Sequence, residues 1–329
     1  MTQASQWRGR TVLVTGAEGF IGSTLVDRLL AEGATVRAFV HYKPYGSAGW
    51  LAGKEDRVEI VAGDVRDQDH VLRAVEGCDV VFHLAALIGI PYSYEAPESY
   101  VQTNVLGSFH VASACRRAGA RMVHTSTSET YGTARTVPIG EDHPLQPQSP
   151  YSASKIGADM MVLSLHHAFE LPVAVVRPFN TYGPRQSARA VVPAILAQLH
   201  SGASELRLGS LTPTRDLNFV EDTVSGFLAV ATCDRALGEV VNVGSGREIS
   251  IGDLVALLEQ ITGNDAKVVS DPARVRPAGS EVERLLCDNR RAREWAGWEP
   301  RYPLEEGLRI TSDWVRDHLD LFEPKRYAV

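Results

Sequence analysis

The sequence predicts an α/β fold: a doubly wound parallel sheet covered by helices on both faces, with a smaller region at its C-terminal end. Three observations predict it. Short β-branched runs alternate with longer amphipathic ones through residues 11–179. The strand-like runs are continuously apolar rather than alternating, which is the pattern of strands buried on both faces. A glycine-spaced loop joins the first of these runs to the first helical stretch, and right-handed crossovers then make double winding the natural result.

The elements follow in order. TVLVT (11–15) precedes a helical stretch from Phe20 to Ala31, and TVRAFV (35–40) and VEIVAGDV (58–65) come next. DVVFHLAA (79–86) leads into a periodic run over 99–118. RMVHTS (121–126) leads through a proline-rich loop to another, over 152–170, and VAVVRPF (173–179) and EVVNVGS (239–245) complete the set. Beyond Arg177 the pattern is less regular: 180–215 is rich in Pro, Gly, Ser and Arg, and 263–300 mixes short strand-like pieces with loops. No internal repeat or low-complexity tract interrupts the chain.

At 329 residues, 44% apolar and 22% charged, the chain is long enough to bury a sizeable core. A net charge of −7 argues against a coat for nucleic acid or an anionic membrane. It leaves room for a local basic pocket that takes a phosphorylated small molecule. Cys78, Cys115, Cys233 and Cys287 are scattered, with no metal-ligand spacing, so reduced cysteines and no metal site are expected. His83 and the His166-His167 pair lack metal partners at useful spacing, which assigns them to core or surface. MTQASQWRGR carries no apolar h-region and no stretch reaches membrane-span length. The expectation is a cytoplasmic protein.

TGAEGFIG (15–22) follows the first strand and opens the first helix, with Gly16, Gly19 and Gly22 in a G-x-x-G-x-x-G spacing. Missing Cβ atoms permit a tight turn, close approach of a pyrophosphate and close helix–strand packing, and the phosphate then meets a positive helix N-terminus. In this position the glycines read as a dinucleotide site of Rossmann type. Residues 1–179 are therefore expected to form a dinucleotide-binding domain, to which the chain returns at about 217–245. Residues 180–216 and 246–329 would form a substrate-binding region. At the end of the second strand, where an acid commonly binds the adenosine ribose, the chain reads Val40-His41-Tyr42-Lys43. No carboxylate stands there, and His41 or Lys43 tolerates a 2′-phosphate, so local chemistry leaves NAD and NADP both open. Asp64, after the third strand, is placed either to meet adenine or to close a turn.

SPYSASK places Tyr151 and Lys155 four residues apart on one helical face. For a phenol of pKa ~10 to act as a base near neutrality it must drop by roughly three units, ~4 kcal/mol. A lysine ammonium and a nicotinamide cation nearby are suited to supply that drop.

TGAEGFIG, HLAA (83–86), STSETYG (126–132), YSASK (151–155) and RPFNTYGPRQ (177–186) together resemble the extended short-chain dehydrogenase/reductases, over nearly the whole chain. More narrowly, HLAALIGIPYSYEAP, SPYSASKIGAD, RPFNTYGPRQSARAVVP and PTRDLNFVEDTVSGF resemble the nucleotide-sugar 4,6-dehydratases. The likeness is greatest to those acting on NDP-N-acetylglucosamine in legionaminic acid pathways. The resemblance implies a tightly bound, recycled NAD, with contacts at Phe20, Ile21, Val65, Leu84, Ala85 and Ala86 beside the glycines, Tyr151 and Lys155. It implies that Thr127 hydrogen-bonds the sugar O4, that Tyr151 takes the O4 proton, and that Glu129 removes the C5 proton once C4 is a ketone. The dTDP-glucose enzymes of this group have Asp between the Thr and the Glu; here Ser128 stands there, as it does in the GDP-mannose enzymes. A serine is too weak an acid to protonate a leaving hydroxyl unaided, so Ser128 would relay or orient. Alternatively, Ser128 and Glu129 merely cap the loop.

Asn180, Arg185, Arg215 and Arg276 fall where the resembled enzymes hold the nucleotide diphosphate and ribose, and arginine suits phosphate because its planar fork binds bidentately. Tyr92 and Tyr94, in the loop after the fourth strand, contact the sugar or pack the loop. The resemblance also implies a homodimer that pairs the helices over 99–118 and 152–170; Met160, Met161, Val162 and Leu165 serve that seam or the core. Two other functions compete. A 4-epimerase needs the same cofactor, Tyr and Lys but no C5 base, and a non-catalytic dinucleotide sensor commonly loses the Tyr or the Lys.

Overall fold

The computed structural model describes residues 6–43, 48–274 and 277–322. The first half runs β1 (Thr11–Thr15), α1 (Phe20–Ala31), β2 (Thr35–His41), β3 (Val58–Gly63), α2 (Gln68–Val75), β4 (Val80–His83), α3 (Ile90–Glu95), α4 (Pro97–Tyr100), α5 (Gly107–Ala118), β5 (Arg121–Thr125) and α6 (Pro150–Phe169). It continues with β6 (Val173–Pro178), β7 (Asn180–Tyr182), α7 (Val191–His200), β8 (Glu205–Leu208), β9 (Thr214–Phe219), α8 (Val220–Ala231) and β10 (Val240–Val243). The chain ends with β11 (Glu248–Ser250), α9 (Ile251–Thr262), β12 (Lys267–Ser270), α10 (Arg290–Ala296) and α11 (Leu304–Asp317).

Seven parallel strands form one sheet in the order β10-β6-β5-β4-β1-β2-β3. Val12 pairs with Val36 of β2 on one side and Val80 of β4 on the other. The order reverses between β1 and β4, and a crevice therefore opens at the carboxyl ends of those strands, where doubly wound folds bind ligands. One face of the sheet is covered by α1 and α8 through Leu25, Leu29 and Phe227, with Trp298 from the segment after α10, the other by α2, α5 and α6 through Val71, Val111, Val162 and Leu165. Each such side chain contributes roughly 1.5–3 kcal/mol on burial. Val162 and Leu165 thus belong to the core, while Met160 and Met161 lie on the outer face of α6, 46% and 37% exposed.

The C-terminal elements build a second apolar cluster from Ile195, Leu196, Leu217, Leu254, Leu308 and Val315. Their strands form two small sheets, β11-β9-β7 and β12-β8. Of the segment 217–245, α8 packs on the large sheet and β10 joins it, whereas β9 pairs with β7.

The periodic run over 99–118 is not one regular helix. Between α4 and α5, Val101–Leu106 forms a π-helical turn. The turn carries Asn104 into the interior, where Nδ2 donates to Leu87 O (3.0 Å) and Ser154 Oγ (2.9 Å) and Oδ1 accepts from Leu87 N (2.8 Å). One buried amide thereby ties the loop after β4 to α6. Among the described residues, no helix is long and apolar enough to cross a membrane, and no three His, Cys, Asp or Glu side chains could hold a metal ion.

Candidate active site

At Gly16 and Gly22 the glycine loop leaves no room for a side chain. Gly16 adopts φ +67°, and a Cβ there would stand 2.9 Å from Ala85 N; a Cβ on Gly22 would lie 2.2 Å from Gly16 O. Thr15 joins the loop to the end of β4: its Oγ1 accepts from Leu84 N (3.2 Å) and Ala85 N (3.1 Å) and lies 2.8 Å from His83 Nδ1. His83 is fully buried and also meets Ser108 Oγ at 3.0 Å. Burial, with the charges of His124 and Lys155, holds it well below the usual histidine range, which is a core role. Phe20 and Ile21 form the first turn of α1, while Val65 is buried against Gly107. These bare backbone walls at a helix start fit a dinucleotide pyrophosphate.

The end of β2 departs from the sequence reading. A carboxylate does stand there, but it comes from the glycine loop: Glu18 Oε1 accepts from His41 N at 2.8 Å. The His41 and Lys43 side chains are exposed. Asp64 closes a turn, accepting from Arg66 N (2.9 Å) and pairing with the Arg66 guanidinium (2.6 Å), and that hydrogen bond holds its carboxyl below the ordinary value.

The catalytic candidates converge at the ends of β5 and α6. Ser149 caps α6 in a reciprocal box with Ser152, and Pro150 occupies the first turn, which fixes where Tyr151 and Lys155 face. Tyr151 is 8% exposed and Lys155 4%. Burial pushes the Tyr151 phenol up, against the hydrogen bond with Thr127; Glu129, Tyr100 and Asp159 add to the rise. Burial thus outweighs the acidification expected from lysine. Lys155 Nζ instead donates to Thr125 O at 2.6 Å, and burial lowers its ammonium to about 8, with Asp159 opposing.

The loop 126–131 is anchored from beneath. Asp159, wholly buried, accepts from Ser126 Oγ (2.6 Å) and pairs with Arg177 (2.9 Å), and His124 Nε2 lies 3.2 Å away. Arg177 in turn stacks under the Tyr131 ring at 4.9 Å, and the Tyr131 hydroxyl donates to Asn242 Oδ1 at 2.8 Å. Above that foundation, Thr127 caps a short 3-10 turn over Ser128–Tyr131 by accepting from Glu129 N (3.3 Å), and Thr130 Oγ1 donates to Thr127 O (2.8 Å). The threonines do the capping. The Ser128 hydroxyl and the Glu129 carboxylate make no hydrogen bond or ion pair within the described residues, although Glu129 is only 9% exposed.

Beside this centre, β7, α7 and β9 line a cleft of about 260 Å³ that includes Asn180, Arg189, Arg215, Arg274 and Glu281. Asn180 Oδ1 is buried and has no hydrogen-bond partner among the described residues. Arg215 donates to Thr214 O (2.9 Å) and pairs with Glu281 (3.1 Å). Arg185 does not line the cleft. At φ +73° its guanidinium is turned to α1, where it pairs with Asp27 (2.8 Å) and donates to Ser23 Oγ (3.2 Å). Arg276 lies outside the described residues. Arg189 and Arg274, not singled out in the sequence, are brought in by the fold; Arg189 sits four residues past Arg185 in the same arginine-containing stretch. Tyr94 bonds Ser280, and Tyr92, Tyr100 and Tyr151 form a chain of rings with centroids 6.2 and 6.3 Å apart.

The family model described as GDP-mannose 4,6 dehydratase matches residues 13–311. The chain is 37% identical to a UDP-glucose 4-epimerase of Mycolicibacterium smegmatis, over 93% of this chain and 98% of that one. It is 35% identical to a dTDP-glucose 4,6-dehydratase of Streptomyces antibioticus, over 95% and 94%. Among solved structures, the dTDP-glucose 4,6-dehydratase of Streptomyces venezuelae with NAD bound superposes with a TM-score of 0.87 at 30% identity, covering 95% of this chain and 99% of that one.

Proposed function

The chain belongs to the GDP-mannose 4,6 dehydratase family, and we propose that it is an NAD-dependent nucleotide-sugar 4,6-dehydratase whose C5 base is Glu129. The observation that carries this reading is the state of that carboxylate. It is nearly buried, its charge reaches the Tyr151 phenol, and nothing within the described residues holds it. A carboxylate kept so without a structural partner is suited to a proton that arrives with substrate.

NAD would lie along the glycine loop, the 84–86 segment, Tyr151 and Lys155, and when bound it supplies a hydride acceptor and donor. The chain's own part is acid–base chemistry. Thr127 and Tyr151 bracket the sugar O4, and Tyr151 takes the O4 proton as C4 becomes a carbonyl. The C5–H bond is then α to a ketone and acidified, and Glu129 removes that proton as the C6 hydroxyl departs. Ser128 orients or relays the proton that the hydroxyl needs to leave as water. Addition of hydride at C6 and of a proton at C5 gives the 4-keto-6-deoxy sugar. Burial raises the Tyr151 phenol, and a nicotinamide cation held beside it would supply charge that lowers it.

Asn180, Arg189, Arg215 and Arg274 are assigned to the nucleotide diphosphate, and the motif likeness favours N-acetylglucosamine as the sugar. The exposed Met160 and Met161 on α6 support a homodimer through that helix. A 4-epimerase is the second reading, favoured by the Mycolicibacterium smegmatis relative. One experiment separates them. The purified protein is incubated with UDP-, GDP- and dTDP-linked glucose and N-acetylglucosamine, and intact nucleotide sugars are followed by mass spectrometry and NMR. Loss of one water from one of them, abolished by Glu129→Gln, supports the dehydratase; a C4 epimer at unchanged mass, formed equally by the variant, overturns it.

A further inference from the structure

The unusual carboxylate of the cofactor end is Glu18. It lies inside the glycine loop, between Gly16 and Gly19, yet its side chain crosses to the end of β2, where Oε1 accepts the His41 backbone N–H at 2.8 Å. The other oxygen, Oε2, is buried and has no hydrogen-bond partner among the described residues. The residue is fixed from a third side as well. Trp50 N donates to Glu18 O (3.4 Å), and Gly49, at φ +57°, packs so closely that a Cβ there would stand 2.9 Å from Glu18 Cβ. A buried acceptor without a donor is unfavourable unless a ligand brings one, and this one stands where doubly wound folds hold the adenosine ribose.

We propose that Glu18 accepts a hydrogen bond from the adenosine ribose 2′-hydroxyl and thereby selects NAD over NADP, replacing the acid that the end of β2 lacks. The inference rests on the NAD-dependent reading above. A ribose hydroxyl offers the donor that Oε2 is without. A 2′-phosphate offers none and would bring like charge against a carboxylate that cannot swing away, because Oε1 is tied to β2. The exposed His41 and Lys43 side chains then lie outside the selecting contact.

Equilibrium binding of NAD and of NADP to nucleotide-free wild type, Glu18→Gln and Glu18→Ala tests this directly, followed by fluorescence or calorimetry rather than turnover. Glu18→Gln can still accept from His41 N, so it keeps the loop in place, and melting temperatures check that it does. Wild type is expected to prefer NAD. Glu18→Gln is expected to weaken NAD by about 10- to 100-fold, the range for a hydrogen bond to a charged group, and to bind NADP as well as or better than wild type. An unchanged NAD-to-NADP ratio in both variants would overturn the role of Glu18 alone and leave it a staple between loop and strand. Wild type that preferred NADP would also overturn it. Wild type that bound neither nucleotide would remove the cofactor reading itself, and this inference with it.

Discussion

At the cofactor end, residues 15–22 supply the turn, the bare backbone and the helix start within eight consecutive positions, with residues 84–86 packed against them. In the adjoining cleft, Asn180, Arg189, Arg215, Arg274 and Glu281 are spread over a hundred residues of chain, from 180 to 281. The first region depends on local backbone geometry, the second on tertiary placement of long side chains. They should therefore fail differently: single changes at the cofactor end should be all-or-none, and single changes in the cleft graded.

The strongest expected effect lies between the two regions, at the phenol both ligands must reach. Tyr151→Phe should lower kcat by about 10²–10⁴-fold, the usual contribution of a positioned acid–base group, with NAD retention unchanged. Steady-state rates and the nucleotide content of the purified variant measure the two parts. Loss of NAD together with rate would mean that the hydroxyl organises the cofactor site rather than the reaction.

Gly22→Ala comes next. Its methyl would stand 2.2 Å from the Gly16 carbonyl oxygen, which is backbone and cannot rotate away. Overpacking of this kind costs about 1–3 kcal/mol, and the loop it displaces is the one proposed to cradle the pyrophosphate. Chemical denaturation should register the loss, and NAD should no longer co-purify. Retained NAD would mean that α1 can slide, and the contrast with the cleft would weaken.

The cleft should respond by degrees. Arg215→Ala and Arg274→Ala are each expected to raise KM for the nucleotide sugar about 10-fold, as the removal of one charge-assisted hydrogen bond to phosphate would, with a smaller effect on kcat. Arg185→Ala should leave KM unchanged and lower the melting temperature, because its partners are Asp27 and Ser23 on α1. A KM effect at Arg185 equal to that at Arg215 would show that the side chain leaves α1 when substrate binds.

The same contrast governs what could be read from sequence. The spacings of the glycine loop and of Tyr151 and Lys155 were legible because turn and helix geometry fix them within a few residues, whereas Thr127 and Glu129 were picked out by their likeness to a family motif. Arg185 was misplaced because its motif position says nothing of a backbone at φ +73° that turns it to α1. Glu18 was passed over because the acid was sought along β2, and only the folded loop carries it there from a different segment. The π-helical turn at Val101–Leu106 was hidden too: one extra residue in a helical turn barely alters apolar periodicity, and its purpose, the inward Asn104, is tertiary.

The smallest effect tests whether the catalytic residues are held at the expense of stability. Lys155 is buried, and its ammonium falls from 10.5 in the ordinary range to about 8. Between those values the unfolded chain binds the proton and the folded one does not. Stability therefore rises with pH from about 8 to 10.5, and the penalty is fully present below 8. A shift of that size corresponds to ~3 kcal/mol at most. Lys155→Met removes the penalty but also the hydrogen bond to Thr125 O, itself about 1.5–3 kcal/mol for a charged donor. The nucleotide-free variant should thus gain only about 1 kcal/mol at pH 7, an advantage that shrinks toward pH 10 in urea titrations. A variant less stable than wild type at pH 7 would mean that the Thr125 bond outweighs burial, so that Lys155 braces the end of β5 as well as serving the site.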